Sequence, residues 1–152
     1  MSLLYKLTIP LFFLDQLTKI LVLNNFALGD QKTIIPDFFN LVRVHNTGIA
    51  FGKFNDGDGS NVIFTVISLL AFLGIIFFWI RGHFPGKLNQ FAVALITAGV
   101  AGNVTDRILH GYVVDFLDFH IGDSHWPSFN VADSRICIAA SLIFLSAFTK
   151  EG

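Results

Sequence analysis

The sequence predicts an all-α membrane protein, four transmembrane helices carrying a small β unit on the outer membrane face. Three observations lead there. The 152 residues are 53% hydrophobic and only 14% charged, with a mean hydropathy of +0.65, a composition outside the range of soluble domains. Eighteen Phe stand against ten Lys plus Arg, too few charges to cover a water-facing surface. Four apolar stretches, at about 3–23, 62–80, 88–108 and 129–148, each approach the length of one bilayer crossing. The chain length suits a single integral membrane domain, 1–152. A net charge of −1 and a pI of about 6.5 offer nothing to a nucleic acid.

The first stretch opens like a secretory signal, with Lys6 ahead of Leu7 to Leu14. Asp15, Gln16 and Lys19 interrupt it and no small-x-small cleavage site follows, so it reads as an uncleaved span. Asp15 and Lys19 are four apart and share a helix face, where they can pair. That pair either orients the helix or belongs to a site.

Residues 24–61 form an outer loop too long to be structureless. Phe38 to Val44 has strand composition, and Asn46-Thr47-Gly48 reads as a turn into a second short strand, Ile49 to Gly52. The two Asp-Gly pairs after Asn55 lack the terminal bidentate Glu of a calcium loop and read as a solvated turn.

Val62 to Ile80 contains no charge, and Trp79 near its end suits a membrane interface. A tight, positively charged connection follows, with Arg81 and Lys87. In the third span Ala94, Ala98 and Gly102 recur every four residues, a stripe that lets helix backbones approach. Asn103, Asp106, Arg107 and His110 continue on one helical face, so these polar groups should point into the bundle. Gly111 should end that helix, and residues 112–128 return over the outer surface as a second loop. The single cysteine, Cys137, excludes an intrachain disulfide and CxxC metal patterns, and reads as a small buried hydrophobe.

Charge sets the orientation. Lys6, Arg81, Lys87 and Lys150 lie on the side of the termini against one acid, Glu151. The positive-inside rule puts the termini in the cytoplasm and the aspartate-rich loops outside.

Asp115 and Asp133, eighteen residues apart, flank the hairpin between spans three and four near the outer boundary. Two adjacent carboxylates in a desolvated site share one proton. That is the condition for aspartyl proteolysis, in which one acid deprotonates water and the other polarises the scissile carbonyl. Spacing alone also allows plain surface acids on a loop and a helix cap.

Five segments decide between these readings: Asp15-Gln-Leu-Thr-Lys19, Asn46-Thr-Gly48-Ile-Ala50-Phe51, Gly102-Asn103-Val-Thr-Asp106-Arg107, Val113-Val-Asp115-Phe116 and Phe129-Asn130-Val-Ala132-Asp133-Ser134. Through them, in order along nearly the whole chain, the sequence resembles the lipoprotein signal peptidases, or signal peptidase II. The resemblance implies four helices with a β cradle, and cleavage of a bacterial prolipoprotein's signal peptide before its diacylglyceryl-modified cysteine. It implies Asp115 and Asp133 as the catalytic dyad. Asn103, Asp106, Arg107, Asn130 and Ala132 would orient the acids and substrate, and Asp15, Lys19, Asn46 and Gly48 would hold the outer part of the site. It further implies a monomer in the bacterial cytoplasmic membrane, with membrane lipid and a lipidated prolipoprotein as partners, and no cofactor or metal.

One residue departs from the family as the resemblance has it. Arg135 stands where a small or apolar residue is usual. Two positions along a helix turn it about 200° from Asp133, so it should face away and snorkel to the headgroups.

Two other functions are weighed. A metallohydrolase would gather Asp115, Asp118, His120, Asp123 and His125, but no HExxH-like spacing is present and the two histidines read as residues of a wet loop. A small transporter or proton relay would string polar residues through the bilayer depth. Here they crowd one edge, and only Asp15 lies deeper.

Overall fold

The structure is a computed structural model that describes residues 2–48 and 60–148. Eight elements follow one another: α1 (Ser2–Asn25), β1 (Gln31–Ile35), β2 (Phe39–Asn46), α2 (Ser60–Ile80), α3 (Lys87–His110), β3 (Val113–Ile121), β4 (Ser124–His125) and α4 (Val131–Ser146).

Among the described residues, three helices are long and apolar enough to cross a membrane: Leu4–Asn25, Asn61–Ile80 and Lys87–His110. The fourth stretch builds a shorter helix than the expected 129–148. Phe129 is drawn into a bridge with Leu117 and Asn130 becomes the N-cap, so α4 has 16 residues. At 1.5 Å per residue it is about 24 Å long against a hydrocarbon core of about 30 Å.

The centre of the bundle is α3, which packs on α1, α2 and α4. Its small residues permit this. Ala94, Ala98 and Gly102 are buried, as the four-residue stripe predicts. A methyl on Gly99 would stand 2.6 Å from the Ala132 carbonyl oxygen of α4, and one on Gly102 would run into the Asp15 carboxylate of α1. Leu4, Val93 and Ala94 form a core at one end with Leu7, Ile75 and Trp79 against them. Large apolar side chains such as Leu70, Ile80, Leu109 and Phe144 face outward, where hydrocarbon rather than water is the fitting solvent.

The β unit is larger than expected and draws on both loops. Its four strands run antiparallel in the order β1-β2-β3-β4. The strand expected at Phe38 to Val44 is β2. The one expected at Ile49 to Gly52, and the Asp-Gly turn, lie outside the described residues. The return 112–128, expected as surface loop, is instead mostly strand: β3 pairs Asp115 with Val44 and Asn46 with Val113. Val113, Val114 and Phe116 supply the β-branched and aromatic character of a buried strand, while Asp115 and Asp118 disguise it by sitting at buried positions themselves. Val22 of α1, Val114 and Phe116 share a core with Tyr112 and Val131, which fixes the sheet against the helix ends.

Candidate active site

The site begins as a buried charge frame between α1 and α3. Lys19, only 2% exposed, places its ammonium 3.0 Å from Asp15 Oδ2, 2.9 Å from Asp106 Oδ2 and 3.0 Å from Asn103 Oδ1. The helical pair Asp15–Lys19 is therefore bonded across to α3 as well as along α1. Gln16 adds a second donor, its Nε2 lying 3.1 Å from Asp106 Oδ1 and 3.3 Å from both Asp15 Oδ2 and the Gly102 carbonyl. Three donors on one lysine, each with an acceptor, is what allows an ammonium to stay inside a protein.

From this frame the bonds run outward to the two acids. Asp106 Oδ2 also accepts the Val114 backbone N–H at 3.1 Å, pinning β3 next to Asp115. Asn103 passes the order on, accepting from Lys19 and donating through Nδ2 to Asp133 Oδ1 at 2.7 Å. Gly111, in the left-handed conformation at φ 80°, closes α3 and turns the chain into β3. Asp115 thus rides on a strand, not on the loop that the sequence suggested.

Asp133 is set by a capping box. Asn130 Oδ1 accepts the Asp133 N–H at 3.0 Å, and Asp133 Oδ2 accepts the Asn130 N–H at 3.1 Å, which satisfies two of the orphan donors at a helix start. The Asn130 amide nitrogen then reaches Asp115 Oδ1 at 2.8 Å and Asn103 Oδ1 at 3.3 Å. Asn46 of β2 donates to the other Asp115 oxygen at 3.0 Å and is itself held by the Gly48 N–H, at 3.0 Å from its Oδ1. A side chain at Gly48 would collide with the Phe64 ring.

Asp115 is 2% exposed, whereas Asp133 is half-buried. Burial, and then the Asp133 charge, push the Asp115 carboxyl up to about 7, although the Asn46 and Asn130 amides pull the other way. Arg107 lies within electrostatic reach of Asp133, Asp115 and Asp106, and its Nε is buried without a hydrogen-bond partner. Ala132 is fully buried against α3, where its size sets the helix separation. The arrangement sets an acid with a raised pKa near a second carboxyl group, a pairing general acid–base chemistry can use.

Other residues lie where the sequence did not put them. Arg135 is 6% exposed and donates to the Leu11 carbonyl of α1, close enough to Asp15 for their charges to interact. It faces away from Asp133 as its helical angle requires, but protein stands there, so it does not snorkel to the headgroups. Cys137 is exposed on the outward side of α4 rather than buried. Of the metallohydrolase donors, His125 meets both Asp118 and His120, but Asp115 does not join them, being turned to Asn46 and Asn130. His120 and His125 belong to strands β3 and β4, not to a wet loop. Asp118 is buried, which alone would raise its pKa, but bonds from Asn40 and His125 hold it below the usual carboxylate range. Gln16 and Asn40 were not singled out in the sequence. Gln16 sits inside the Asp15–Lys19 motif, but its acceptors come from three places in the chain.

The chain matches the family described as Signal peptidase (SPase) II over residues 7–149. It is 44% identical over 150 residues to a lipoprotein signal peptidase of Vibrio cholerae serotype O1, covering 95% of this chain and 86% of that one. It is 47% identical over 138 residues to a lipoprotein signal peptidase of Ralstonia nicotianae, covering 90% and 79%. A bacterial membrane enzyme solved by the in meso method at 1.9 Å superposes with a TM-score of 0.86 at 30% identity, over 100% of this chain and 96% of that one.

Proposed function

This chain belongs to the signal peptidase II family, and from that premise we propose that Asp115 and Asp133 are its catalytic dyad. It is a multi-pass membrane protease that removes signal peptides from prolipoproteins. The observation that carries the dyad is the double tie made by Asn130, whose side-chain amide binds Asp115 while its backbone N–H binds Asp133. One residue thereby sets the spacing of two acids from different elements.

Asp115, the more buried acid, holds the proton, and Asp133 is the carboxylate. Asp133 accepts a proton from water as the oxygen attacks the scissile carbonyl carbon, and Asp115 donates its proton to the carbonyl oxygen. The tetrahedral intermediate then collapses: its hydroxyl proton returns to Asp115, the C–N bond breaks, and Asp133 passes its proton to the leaving amine. The signal peptide leaves with a new carboxyl terminus, and the lipidated cysteine keeps a free α-amino group. Asn103, Asp106, Lys19 and Asp15 position the acids. Arg107, with an unspent donor beside them, is suited to the substrate backbone, and Asn46 and Gly48 shape the outer wall.

The whole chain, 1–152, acts as one integral domain and as a monomer. Although α4 is short, it lies along α3, and we place it as the fourth crossing. The termini and the Arg81–Lys87 connection are then cytoplasmic, and the sheet and dyad lie at the outer face of the bacterial inner membrane. A transporter is disfavoured because the buried charges gather at the sheet end and α2 carries none.

The test is a gel-shift assay on a lipidated precursor. Asp115→Asn and Asp133→Asn are each expected to leave it unprocessed, and normal processing by either variant refutes the dyad.

A further inference from the structure

At the far end of β3 from Asp115, two histidines face each other across the sheet. His120 of β3 pairs with His125 of β4. The His120 N–H donates to the Phe38 carbonyl at 2.9 Å, on the β2 side, whereas the Trp126 N–H reaches the Phe119 carbonyl at 2.8 Å across β3 and β4. His120 and His125 therefore form a rung with no hydrogen bond between them, the type in which opposed side chains come closest. Their rings stack with centroids 4.6 Å apart and planes 10° from parallel.

Both rings are anchored through the same nitrogen. His120 Nδ1 lies 2.9 Å from the Gly122 carbonyl oxygen. A carbonyl only accepts, so Nδ1 carries a proton, and in the neutral ring Nε2 is the nitrogen that presents the lone pair. His125 Nδ1 lies 2.8 and 3.0 Å from the two oxygens of Asp118, which Asn40 fixes in turn at 2.9 Å. His120 Nε2 is buried and has no hydrogen-bond partner. Both rings line one cavity of about 400 Å³, with Phe38, Phe119, Ile121 and Trp126 as apolar walls. An imidazole oriented by a carboxylate or carbonyl through one nitrogen, with the other left bare, is the usual preparation of a metal-binding histidine.

We propose that His120 and His125 form a two-nitrogen site for a late first-row divalent metal ion, Zn²⁺ or Cu²⁺, separate from the acid pair. Two imidazoles and no carboxylate ligand suit these ions over Mg²⁺ or Ca²⁺. With Zn–N bonds of about 2.0–2.1 Å, a tetrahedral ion holds two nitrogens about 3.3 Å apart; the rings now lie in near-parallel planes, so binding turns the His120 ring out of the stack, away from the Gly122 carbonyl, to aim its lone pair at the ion, while His125 keeps its bond to Asp118. Among the described residues no set of three His, Cys, Asp or Glu side chains is placed to hold one ion. Water therefore completes the coordination, and the ion is exchangeable rather than structural.

The full chain, carrying no polyhistidine tag, is titrated in detergent with ZnCl₂ by calorimetry and with Cu²⁺ by electron paramagnetic resonance. One saturable site per chain is expected, with two nitrogen ligands in the copper spectrum. His120→Ala and His125→Ala should each weaken binding by about tenfold or more, as should Asp118→Asn, while Asp115→Asn leaves it unchanged although cleavage is lost. Melting temperature and metal-free cleavage of the precursor report whether each variant is folded. A variant that fails them is replaced by the His→Gln form, for which the same loss is expected. No saturable binding below about 1 mM, fewer than two nitrogens in the copper spectrum, or unchanged affinity in both histidine variants overturns the proposal. The last result would assign the ion to His45, His83 or His110.

Discussion

Replacing Asn46 by Ala should move the basic limb of the cleavage profile to higher pH. With Asp115 pushed up to about 7, about nine-tenths of it is protonated at pH 6 and about one-tenth at pH 8, so kcat/KM should fall about tenfold per unit on the alkaline side. Asn46 Nδ2 donates to Asp115 Oδ2 at 3.0 Å and favours the ionised form. A hydrogen bond to a charged group contributes about 1.5–3 kcal/mol, and one pKa unit is about 1.4 kcal/mol. Its loss should therefore raise the apparent pKa by about one to two units. Because Asn46 also positions Asp115, the variant should be slower at pH 6, and its rate relative to the native enzyme should climb between pH 6 and 9. A fluorogenic lipopeptide read across that range measures both. A limb that stays in place, or moves to lower pH, refutes the reading of Asp115 as the acid that Asn46 holds towards ionisation.

Lys19→Met should abolish cleavage and lower stability by about 3–5 kcal/mol, because it leaves Asp15 and Asp106 buried without their shared cation; thermal melting in detergent against the native chain checks this. Gly102→Ala places a methyl against the Asp15 carboxylate and should cost about 1–3 kcal/mol by overpacking, with activity falling through the displaced Lys19; a melt and a cleavage assay on one sample would show the two losses together. Arg135→Met should cost about 1–3 kcal/mol for its bond to the Leu11 carbonyl while leaving kcat within a few-fold, since that side chain does not touch the dyad; a hundredfold loss of kcat would place it in the site instead.

The legible part of the site was the part written in local patterns. Asp133 lies about one turn inside the start of the last apolar stretch, and it stands in the first turn of α4, in a capping box with Asn130. Asp15 and Lys19 stand four apart, and they touch. Gly111 ended a helix as glycine does at a C-cap. What stayed hidden depended on partners distant in sequence. β3 was missed because Asp115 and Asp118 occupy buried strand positions, where the period-2 pattern calls for apolar residues, and their partners Asn46, Asn130 and Asn40 lie 15 to 78 residues away. For Arg135 the helical angle gave the direction but not what stood there, the backbone of α1. Cys137 shows the converse error: an apolar run in a membrane protein does not separate residues facing protein from residues facing lipid, since both are apolar.

Charge balance links the frame to the chemistry. Asp15 and Asp106 are two buried negative charges, and Lys19 between them is one positive charge. Arg135, from the far side of Asp15, is the second. With that group neutral, Arg107 is left facing Asp115 and Asp133, and one cation balances a dyad that carries one negative charge, not two. A second ionisation would leave an uncompensated charge in a desolvated site, which costs several kcal/mol. That cost holds a proton on Asp115 up to about pH 7. Burial and the Asp133 charge thus keep the proton on Asp115. A further positive charge beside Arg107 would favour ionisation of both acids and remove the proton donor that the carbonyl oxygen needs.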